Sequence, residues 1–422
     1  MPENLKDKTV LIWDVGSCVE HALRLAKDFG KVLFFTPYVV DGAPKFADYA
    51  PALGYESEGV IKVKNFFENI DKADAICFFD INGGDIASYL KKVTDKPVYG
   101  AGLAGEKLEA DRFLMKRLQE KLGLPTQEYE KVTGVKDLGE YLKTHPDKHV
   151  KVNVWRGDLE SFYAKDFDSV ELYLKELDEK LGPFADTYEF MVETPIKGLE
   201  LGWDLYFSNG DWIKPYLWGT SDNTYSYIGK YSDTMPEPLM NIANKLKPII
   251  AKIDYRGAMS IEVKVTEDKK VYLLDICCRY PIPMSNLFTE SIKNYSELIW
   301  AVANNQTIII EPVDKYVACV ALQSEHGQDH WIKLDFPEKL RKYVKTRISA
   351  KLNGNYYSVK STEIVYVLLN WGDNVDKVID GIKKISDKVN AFKMDKNSIV
   401  DLDKMKETLD KTEKFGLGKF FD

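Results

Sequence analysis

The sequence lacks most features that would place a protein outside the ordinary globular class. It has only five cysteines, two of them adjacent, and no CxxC pair or Cys/His cluster, so neither a disulfide framework nor a zinc site is predicted. No apolar run approaches the roughly 20 residues of a membrane span. The N-terminal stretch does not resemble a signal peptide. We therefore expect a protein of the reduced cytoplasm that does not bind membranes.

An excess of positive charge is also missing. Acidic residues outnumber basic ones by 66 to 58, which gives a formal net charge of −8 at pH 7. Such a balance argues against nucleic acid as the principal partner, although it leaves room for a local basic pocket. The 422 residues, of which 45% are hydrophobic and 29% charged, are typical of a globular chain with two or three domains.

The first hundred residues alternate short apolar runs with helical patterns. Lys8–Val15, Lys31–Thr36 and Ala75–Asp80 read as strands, so a small doubly wound α/β unit with a parallel sheet is predicted. A helix is expected to begin at Ser17, directly after Gly16, and its free N–H groups are suited to an anion. The glycine fingerprint GxGxxG of dinucleotide sites is absent.

The pattern changes after residue 100. One continuous helix is predicted over Leu103–Leu122, with Arg112 and Lys116 as surface charges if the helix is considered alone. Beyond it, strands and helices without strict alternation indicate an α+β arrangement. Lys151 lies on one of these strands, either as an edge residue that aids solubility or as a phosphate ligand. The long polar and aromatic stretch Tyr216–Ser232 is predicted to be a loop.

The chemically most informative stretch is a predicted β-hairpin. Its strands are Ala258–Val265 and Val271–Cys278, around a polar turn at Thr266–Lys270. If the turn has two residues, Glu262 lies directly opposite Asp275, because the two residues are then equally distant from the centre of the turn. Side chains alternate between the two faces of a strand, so the two carboxylates share one face.

The same alternation places Arg279 on the charged face and Leu274 on the apolar face that packs. Like charges directly opposite each other destabilise a hairpin, so the two carboxylates suggest a cation between them. Carboxylate oxygens suit Mg²⁺, which usually takes one or two of them together with substrate phosphates. The alternative is an exposed hairpin with scattered charges.

Segments in order along nearly the whole chain carry a resemblance to a known family. VEHAL at Val19–Leu23 resembles the motif REHAL, and Tyr99–Tyr129 resembles the signature GPTxxAAxLEGSKxFxKxFxxxxxIPTAxY. HVKVN at His149–Asn153 is similar to VIKAD, and ETPIKGLE at Glu193–Glu200 is similar to EEFLDGEE. These motifs belong to the ATP-grasp superfamily, and within it the chain most closely resembles glycinamide ribonucleotide synthetase, the phosphoribosylamine–glycine ligase.

The resemblance implies a mixed α/β and α+β architecture, the ATP-grasp fold. Residues 1–102 would form an N-terminal doubly wound domain that precedes the ATP-grasp domain. Residues 103–310 would form the ATP-grasp domain itself, with 126–195 as a smaller, lid-like subdomain. Residues 311–422 would form a C-terminal α+β domain.

The resemblance also implies a nucleotide and metal site with ATP and Mg²⁺, or Mn²⁺, as cofactors. Arg279 and Lys151 would be catalytic and stabilise the transferring phosphate. The backbone of the hinge that follows Glu193 would read the adenine edge, and Glu200 would take the ribose hydroxyls. The implied nucleotide-binding residues are Arg112, Lys151, Glu193, Thr194, Pro195, Ile196 and Glu200, and the implied metal ligands are Glu262, Asp275 and Cys277.

Three departures from the family pattern bear on function. Cys277 stands where the family has an asparagine ligand, and a thiol is a soft ligand poorly suited to Mg²⁺. Residues 155–161, WRGDLES, contain one glycine where the family has a glycine-rich phosphate loop. Residues 279–284, RYPIPM, replace the family's RFGDPE, a segment that helps to shape the substrate pocket.

Three functions therefore stay open. The first is an ATP-dependent, ADP-forming ligase that joins a small carboxylate to a small amine through an acyl phosphate. The second is a divergent phosphoribosylamine–glycine ligase. The third is a degenerate ATP-grasp protein that binds nucleotide without turnover. The oligomeric state is also open, and a homodimer is the commonest arrangement.

Overall fold

The computed structural model describes residues 4–37, 46–154, 161–222 and 225–421. These residues divide into two compact units. The larger unit comprises Met1–Gly105, Leu201–Ile261 and Cys277–Asp422, and the smaller unit comprises Glu106–Glu200 and Glu262–Ile276.

The helices and strands follow one another throughout the described residues. The α-helices are α1 (Val19–Ala26), α2 (Phe46–Tyr49), α3 (Gly84–Val93), α4 (Gly102–Ala110), α5 (Arg112–Lys121), α6 (Val135–Thr144), α7 (Glu171–Leu181), α8 (Glu237–Lys252), α9 (Phe288–Ser291), α10 (Tyr295–Ala303), α11 (Val375–Ser386) and α12 (Ser398–Asp410). The strands are β1 (Thr9–Trp13), β2 (Lys31–Phe35), β3 (Val60–Lys62), β4 (Ala75–Phe78), β5 (Val98–Tyr99), β6 (Tyr129–Thr133), β7 (Lys148–Val152), β8 (Ser161–Ala164), β9 (Glu189–Glu193), β10 (Leu199–Ser208), β11 (Asp211–Ser221), β12 (Tyr227–Ser232), β13 (Gly257–Val265), β14 (Val271–Cys277), β15 (Tyr316–Gln323), β16 (Ile332–Leu334), β17 (Val344–Lys345), β18 (Ser349–Leu352), β19 (Asn355–Ser358) and β20 (Ile364–Gly372).

A five-stranded parallel sheet forms the N-terminal part of the larger unit. Its strand order is β3-β2-β1-β4-β5, and every pairing between neighbours is parallel. Apolar side chains such as Leu11, Ile76 and Leu90 fill the core on one side of it. The predicted doubly wound α/β unit is therefore confirmed.

An eight-stranded sheet has the order β14-β13-β10-β11-β12-β15-β20-β17. The boundaries of the two units fall within strands β10, β13 and β14. Helix α11 packs on its C-terminal strands β15 and β20. Helix α11 begins after Asn374, whose side chain accepts a hydrogen bond from the backbone N–H of Lys377, as an N-cap residue does.

The smaller unit is built on a four-stranded sheet of order β6-β9-β7-β8, covered by helices α6 and α7. Strand β9 lies between β6 and β7, and its last residue, Glu193, pairs with Tyr129 on one side and His149 on the other. Glu193 therefore ends a central strand, where its backbone is fixed from both sides.

The predicted helix Leu103–Leu122 is wrong as one continuous element. It is interrupted at Asp111, whose backbone is extended and whose carboxylate accepts the N–H of Leu114 at 2.8 Å. When an aspartate side chain caps a new helix, its own backbone leaves the helical conformation, so the preceding helix ends there. Helix α5 consequently begins at Arg112, separately from α4.

The predicted loop over Tyr216–Ser232 is also wrong. Most of it belongs to strands β11 and β12, which pair in antiparallel register from Tyr216↔Ser232 to Ser221↔Tyr227. Aromatic residues favour strands, and two glycines let the backbones approach. Gly219 faces Gly229, and a Cβ atom on Gly219 would lie 1.9 Å from the carbonyl oxygen of Ile228.

None of the helices in the described part of the chain combines the length and apolar character required to cross a membrane. The five cysteines are all free.

The close approach at Gly219 gives a test of this register. Gly219→Ala should lower the thermal unfolding midpoint and reduce the free energy of unfolding by about 1–3 kcal/mol. The added methyl group would overlap backbone atoms of the neighbouring strand, which cannot shift without disturbing the sheet. Gly139→Ala, within helix α6, is the matched control. Its Cβ would lie at an ordinary contact distance, 3.5 Å, from the ring of Phe167. Calorimetry should therefore show an unchanged or slightly higher thermal midpoint, because alanine favours the helix more than glycine does. An unchanged midpoint for Gly219→Ala would contradict the register.

Candidate functional site

Helix α5 contributes two buried cationic side chains to the smaller unit. Arg112 and Lys116 are separated by one helical turn, so they share a face, and they are only 6% and 3% exposed. They are therefore not the surface charges that the helix alone suggests. Charged side chains this deeply buried require partners.

Lys116 shares a partner with Lys151. One carboxylate oxygen of Glu193 lies 2.6 Å from Nζ of Lys116, and the other lies 3.1 Å from Nζ of Lys151. Glu193 is 1% exposed, and burial alone would raise its pKa, but the two ammonium groups hold the pKa below its usual value. Burial lowers the pKa of Lys116, while the charge of Glu193 opposes that effect. One buried carboxylate thus holds cations from α5 and β7 at the end of β9.

Arg112 connects the same helix to two other strands. Its Nη1 lies 3.3 Å from Oδ2 of Asp275 on β14, and its Nε donates to the carbonyl oxygen of Val152 at the end of β7. Its backbone N–H donates to the side chain of Asn153 at 3.0 Å. The structure therefore brings Arg112, Lys151, Glu193 and Asp275 together around one cleft, and their roles toward a nucleotide stay predictions.

Gln119 extends this polar face by one more turn. Its amide Nε2 donates to the carbonyl oxygen of Leu273 at 3.2 Å, and its Oε1 is buried without a hydrogen-bond partner among the residues described. Sequence reasoning missed both Gln119 and Lys116 as site residues. A signal was present, because the polar residues of this stretch recur at the spacing of one helical face: Glu109, Arg112, Lys116 and Gln119.

The hairpin is confirmed, but its turn is not the two-residue turn that the predicted register assumes. Thr266 N–H donates to the Lys270 carbonyl, and Lys269 N–H donates to the Thr266 carbonyl, so the loop has three residues. Next to the turn, the pairing of the two strands therefore differs by one residue from the predicted register. Leu274 was predicted on the packing face, but it lies in the cleft lined by Arg112 and Lys116.

Asp275 nevertheless reaches the charged face. Leu273 and Ile276 are buried, whereas Leu274 and Asp275 are two successive half-buried residues. The strict alternation of buried and half-buried positions along β14 is therefore interrupted at Leu274 and Asp275. On β13 the alternation is regular, with Glu262 half-buried between the buried Ile261 and Val263.

The hinge residues lie where strand β9 ends. Thr194, Pro195 and Ile196 are half-buried in the connection to β10, and the hydroxyl of Thr194 accepts a hydrogen bond from Lys148 at 2.9 Å. Glu200 is exposed and lies 3.0 Å from Nζ of Lys264. Their predicted roles toward adenine and ribose stay predictions. The glycine-poor segment WRGDLES falls at residues 155–161, of which 155–160 lie outside the described residues.

Arg279 and Cys277 belong to the larger unit. Nε of Arg279 lies 3.4 Å from a carboxylate oxygen of Asp80, which follows strand β4. The structure thus places the two predicted catalytic residues, Arg279 and Lys151, in separate units, each with an acidic partner.

Asp14 follows strand β1 and is fully buried. Its Oδ2 accepts the backbone N–H groups of Gly16 at 2.7 Å and Cys18 at 2.9 Å. The prediction that the N–H groups at the start of α1 bind an external anion is therefore wrong for these two groups, since the chain's own carboxylate occupies them. Burial, followed by the charge of Asp80, raises the pKa of Asp14 to about 6.

The donor set of the hairpin fits a hard divalent cation. Within the described ranges, no three side chains of the His, Cys, Asp and Glu types converge on one point. Mg²⁺ needs only one or two carboxylates when substrate phosphates complete its shell, and Glu262 and Asp275 supply such oxygens. The thiol of Cys277 does not suit this ion.

Comparison with known proteins defines the fold. A phosphoribosylamine–glycine ligase from Thermotoga maritima superimposes with a TM-score of 0.68 at 15% identity, over 92% of this chain and 98% of that one. The biotin carboxylase domain of the 2-oxoglutarate carboxylase of Hydrogenobacter thermophilus, in complex with MgADP, ADP and bicarbonate, gives 0.67 at 14% identity, over 98% and 96%. An N5-carboxyaminoimidazole ribonucleotide synthetase in complex with ADP gives 0.61 at 16% identity, over 90% and 96%.

The chain therefore has the ATP-grasp fold, and the predicted mixture of α/β and α+β architecture is confirmed. Among known structures of this fold, it is similar to phosphoribosylamine–glycine ligase over nearly its whole length. No protein-family model and no curated protein matches the sequence.

The shared carboxylate predicts a stability effect. Glu193→Gln removes the charge between Lys116 and Lys151 and should destabilise the smaller unit by about 3–5 kcal/mol, because two buried ammonium groups lose their counter-charge. The control is Glu171→Gln, which breaks the exposed pair with Lys175 and should leave the free energy of unfolding nearly unchanged. Chemical denaturation followed by circular dichroism measures both. Equal effects would contradict the proposed importance of Glu193.

Asp14 predicts a pH dependence. Because its pKa is about 6 in the folded protein and 3.8 as the ordinary value, the folded state binds this proton more tightly than the unfolded state. The stabilisation is present below about pH 4 and is lost as the pH rises through 6, a change of about 3 kcal/mol. The thermal midpoint of the wild type minus that of Asp14→Asn should therefore fall between pH 4 and 7.

Asp74→Asn is the control for this titration, because Asp74 also accepts a backbone N–H, that of Thr9. The thermal midpoint of the wild type minus that of Asp74→Asn should not fall in this way over the same pH range. A constant difference for Asp14→Asn across this range would show that Asp14 does not titrate there.

Proposed function

We propose that the protein is an ATP-dependent, ADP-forming ligase that joins a small carboxylate to a small amine. The observation that carries this proposal is the cluster of three cations, Arg112, Lys116 and Lys151, around one cleft of the smaller unit. Arginine and lysine are the side chains that bind phosphate groups. Two of the similar structures were solved with ADP, which supports a nucleotide as the ligand of this cleft.

The proposed reaction has two steps. An oxygen of the substrate carboxylate attacks the γ-phosphorus, the bond to the ADP oxygen breaks, and an acyl phosphate forms. The amine nitrogen then attacks the carbonyl carbon, the C–O bond to phosphate breaks, and inorganic phosphate leaves as the nitrogen loses a proton. Phosphoryl transfer depends mainly on positioning and on neutralisation of charge, so it needs cations rather than a nucleophilic side chain.

The cations have distinct proposed tasks. Lys151 and Arg112 bind the nucleotide phosphates, and Arg279 stabilises the phosphate during transfer. Glu193 pairs with Lys116 and Lys151 and fixes their positions, so that little reorganisation is needed when a phosphate arrives. The backbone of Thr194–Ile196 faces the adenine edge, and Glu200 takes the ribose hydroxyls.

Glu262 and Asp275 would hold Mg²⁺. The ion supplies charge neutralisation at the phosphate oxygens. Asp275 is already oriented by Arg112, whose charge offsets one of the two carboxylates of the hairpin.

Two other functions are supported by specific observations. Nucleotide binding without turnover is favoured by Cys277, a thiol at the position of a family ligand. Synthesis of glycinamide ribonucleotide is favoured by the similarity to phosphoribosylamine–glycine ligase over 92% of this chain. Complementation of a strain that lacks the purine enzyme separates the latter from a ligase with other substrates.

The test of ligase function is ADP formation in the presence of Mg²⁺ and a panel of small acids and amines. ADP should accumulate only when an acid and an amine are both present. Glu262→Gln combined with Asp275→Asn should lower the rate by about 100-fold or more, since two ligand charges are lost. Glu267→Gln combined with Asp268→Asn removes the same charge from the turn of the same hairpin and should leave the rate unchanged.

The outcomes separate the candidates. Binding of MgATP without ADP formation across the panel supports a nucleotide-binding protein and contradicts the ligase. Absence of any measurable affinity for MgATP contradicts both.

A further inference from the structure

A hydrogen-bonded cluster of buried aromatic side chains lies in the larger unit. His21 belongs to helix α1, Tyr280 follows strand β14, and Tyr295 begins helix α10; each is 0% exposed. Nδ1 of His21 lies 2.5 Å from the hydroxyl of Tyr295, and that hydroxyl lies 2.8 Å from the hydroxyl of Tyr280. Buried polar groups need their hydrogen bonds, so the cluster fixes three distant segments of the chain to one another.

His21 also holds the segment that follows Tyr280. Its ring stacks on the ring of Tyr280 with the centroids 4.3 Å apart, and its Nε2 lies 3.1 Å from Oγ of Ser285. Burial, followed by the charge of Lys345, lowers the pKa of His21 to about 3, so the imidazole is neutral near pH 7. A neutral imidazole has one donor and one acceptor nitrogen, which suits one hydroxyl partner on each side. Residues 280–285 are therefore held at both ends.

Both members of the ion pair between Arg279 and Asp80 are chain neighbours of rings in this cluster. Tyr280 directly follows Arg279, and Phe79 directly precedes Asp80. The rings of Phe79 and Tyr280 meet edge to face at 5.4 Å, and the ring of Phe79 lies 5.8 Å from that of His21. Nε of Arg279 lies 3.4 Å from a carboxylate oxygen of Asp80, so packed rings support the ion pair on both sides.

We propose that the cluster formed by His21, Tyr295 and Tyr280 positions the guanidinium of Arg279. These three are positioning residues, because they act through the backbone that joins Tyr280 to Arg279. A displaced cation loses more of its interaction with charge that develops in the transition state than with the bound ground state. The kinetic consequence rests on the proposed function, in which Arg279 stabilises the phosphate during transfer.

The positioning can be tested without any substrate, by modification of the full chain with phenylglyoxal and mass spectrometry. Tyr280→Phe removes one hydroxyl and keeps the ring. Arg279, whose side chain is 23% exposed, should then be modified about threefold or more faster relative to the exposed Arg117, because a less firmly held guanidinium leaves Asp80 more often. Tyr295→Phe removes the bonds to both His21 and Tyr280 and should have at least the same effect.

Tyr55→Phe is the matched control. It removes another buried hydroxyl of the larger unit, which lies 2.8 Å from Oγ of Ser349, the same distance as that between the hydroxyls of Tyr280 and Tyr295. The modification rate of Arg279 should be unchanged in this variant. Thermal midpoints of all three variants show that the folded state persists under the conditions of the labelling.

Steady-state kinetics tests the consequence for the reaction. With the acid and amine that give the highest rate of ADP formation, Tyr280→Phe should lower kcat by about tenfold and change the KM for MgATP by less than about threefold. Added to Arg279→Ala, the same substitution should cause little further loss, because the residue through which it acts is gone. A contribution to folding alone would lower kcat by the same factor in both backgrounds.

Three results would overturn the proposal: Tyr280→Phe leaves the modification of Arg279 unchanged, Tyr55→Phe raises it equally, or the losses from Tyr280→Phe and Arg279→Ala add. Failure of the ligase function is recognised separately. If modification rises as expected while no acid and amine support ADP formation, the positioning of Arg279 stands and the ligase function does not. If ADP forms and Tyr280→Phe leaves kcat unchanged, the ligase stands and the positioning role falls.

Discussion

The buried carboxylate of Glu193 is the interaction on which the smaller unit depends. It holds Lys116 from helix α5 and Lys151 from strand β7 at the end of the central strand β9. Burial of three charges costs desolvation energy that the ion pairs hardly recover, so such a cluster is weak evidence for stability. The proposed binding of nucleotide phosphates would give this cluster a role that stability alone does not provide.

A second buried carboxylate, Glu20, organises the larger unit in a similar way. Its two oxygens lie 3.0 and 2.8 Å from Nη2 of Arg341, and one of them also accepts the backbone N–H of Thr346. Glu20 lies in the first turn of α1, directly after the turn that Asp14 caps. It therefore fixes the segment Arg341–Thr346 against the start of α1, and an acid from this helix positions a base from the C-terminal part of the chain.

Patterns with a short period predicted the fold better than the site. The parallel sheet and the hairpin follow from local alternation, which the structure confirms. The break at Asp111 was missed because an aspartate is compatible with a helix until its side chain caps the next one. The burial of Lys116 depends on Glu193, a distant residue on another element, and no local pattern specifies that contact. The face of the hairpin on which Leu274 lies depends on the length of the turn, and the turn is one residue longer than predicted.

The balance of charge in the smaller unit connects the metal to the nucleotide. Three cations, Arg112, Lys116 and Lys151, line one cleft together with three carboxylates, those of Glu109, Glu193 and Asp275. Because the charges already balance, a polyphosphate that enters alone brings a large excess of negative charge into a region of low dielectric. In the proposed function, a divalent cation at Glu262 and Asp275 would remove much of that excess, so that metal and nucleotide would favour each other's binding. On this proposal, the hairpin carboxylates and the buried lysines act as one electrostatic unit, in which neither part would bind its ligand well without the other.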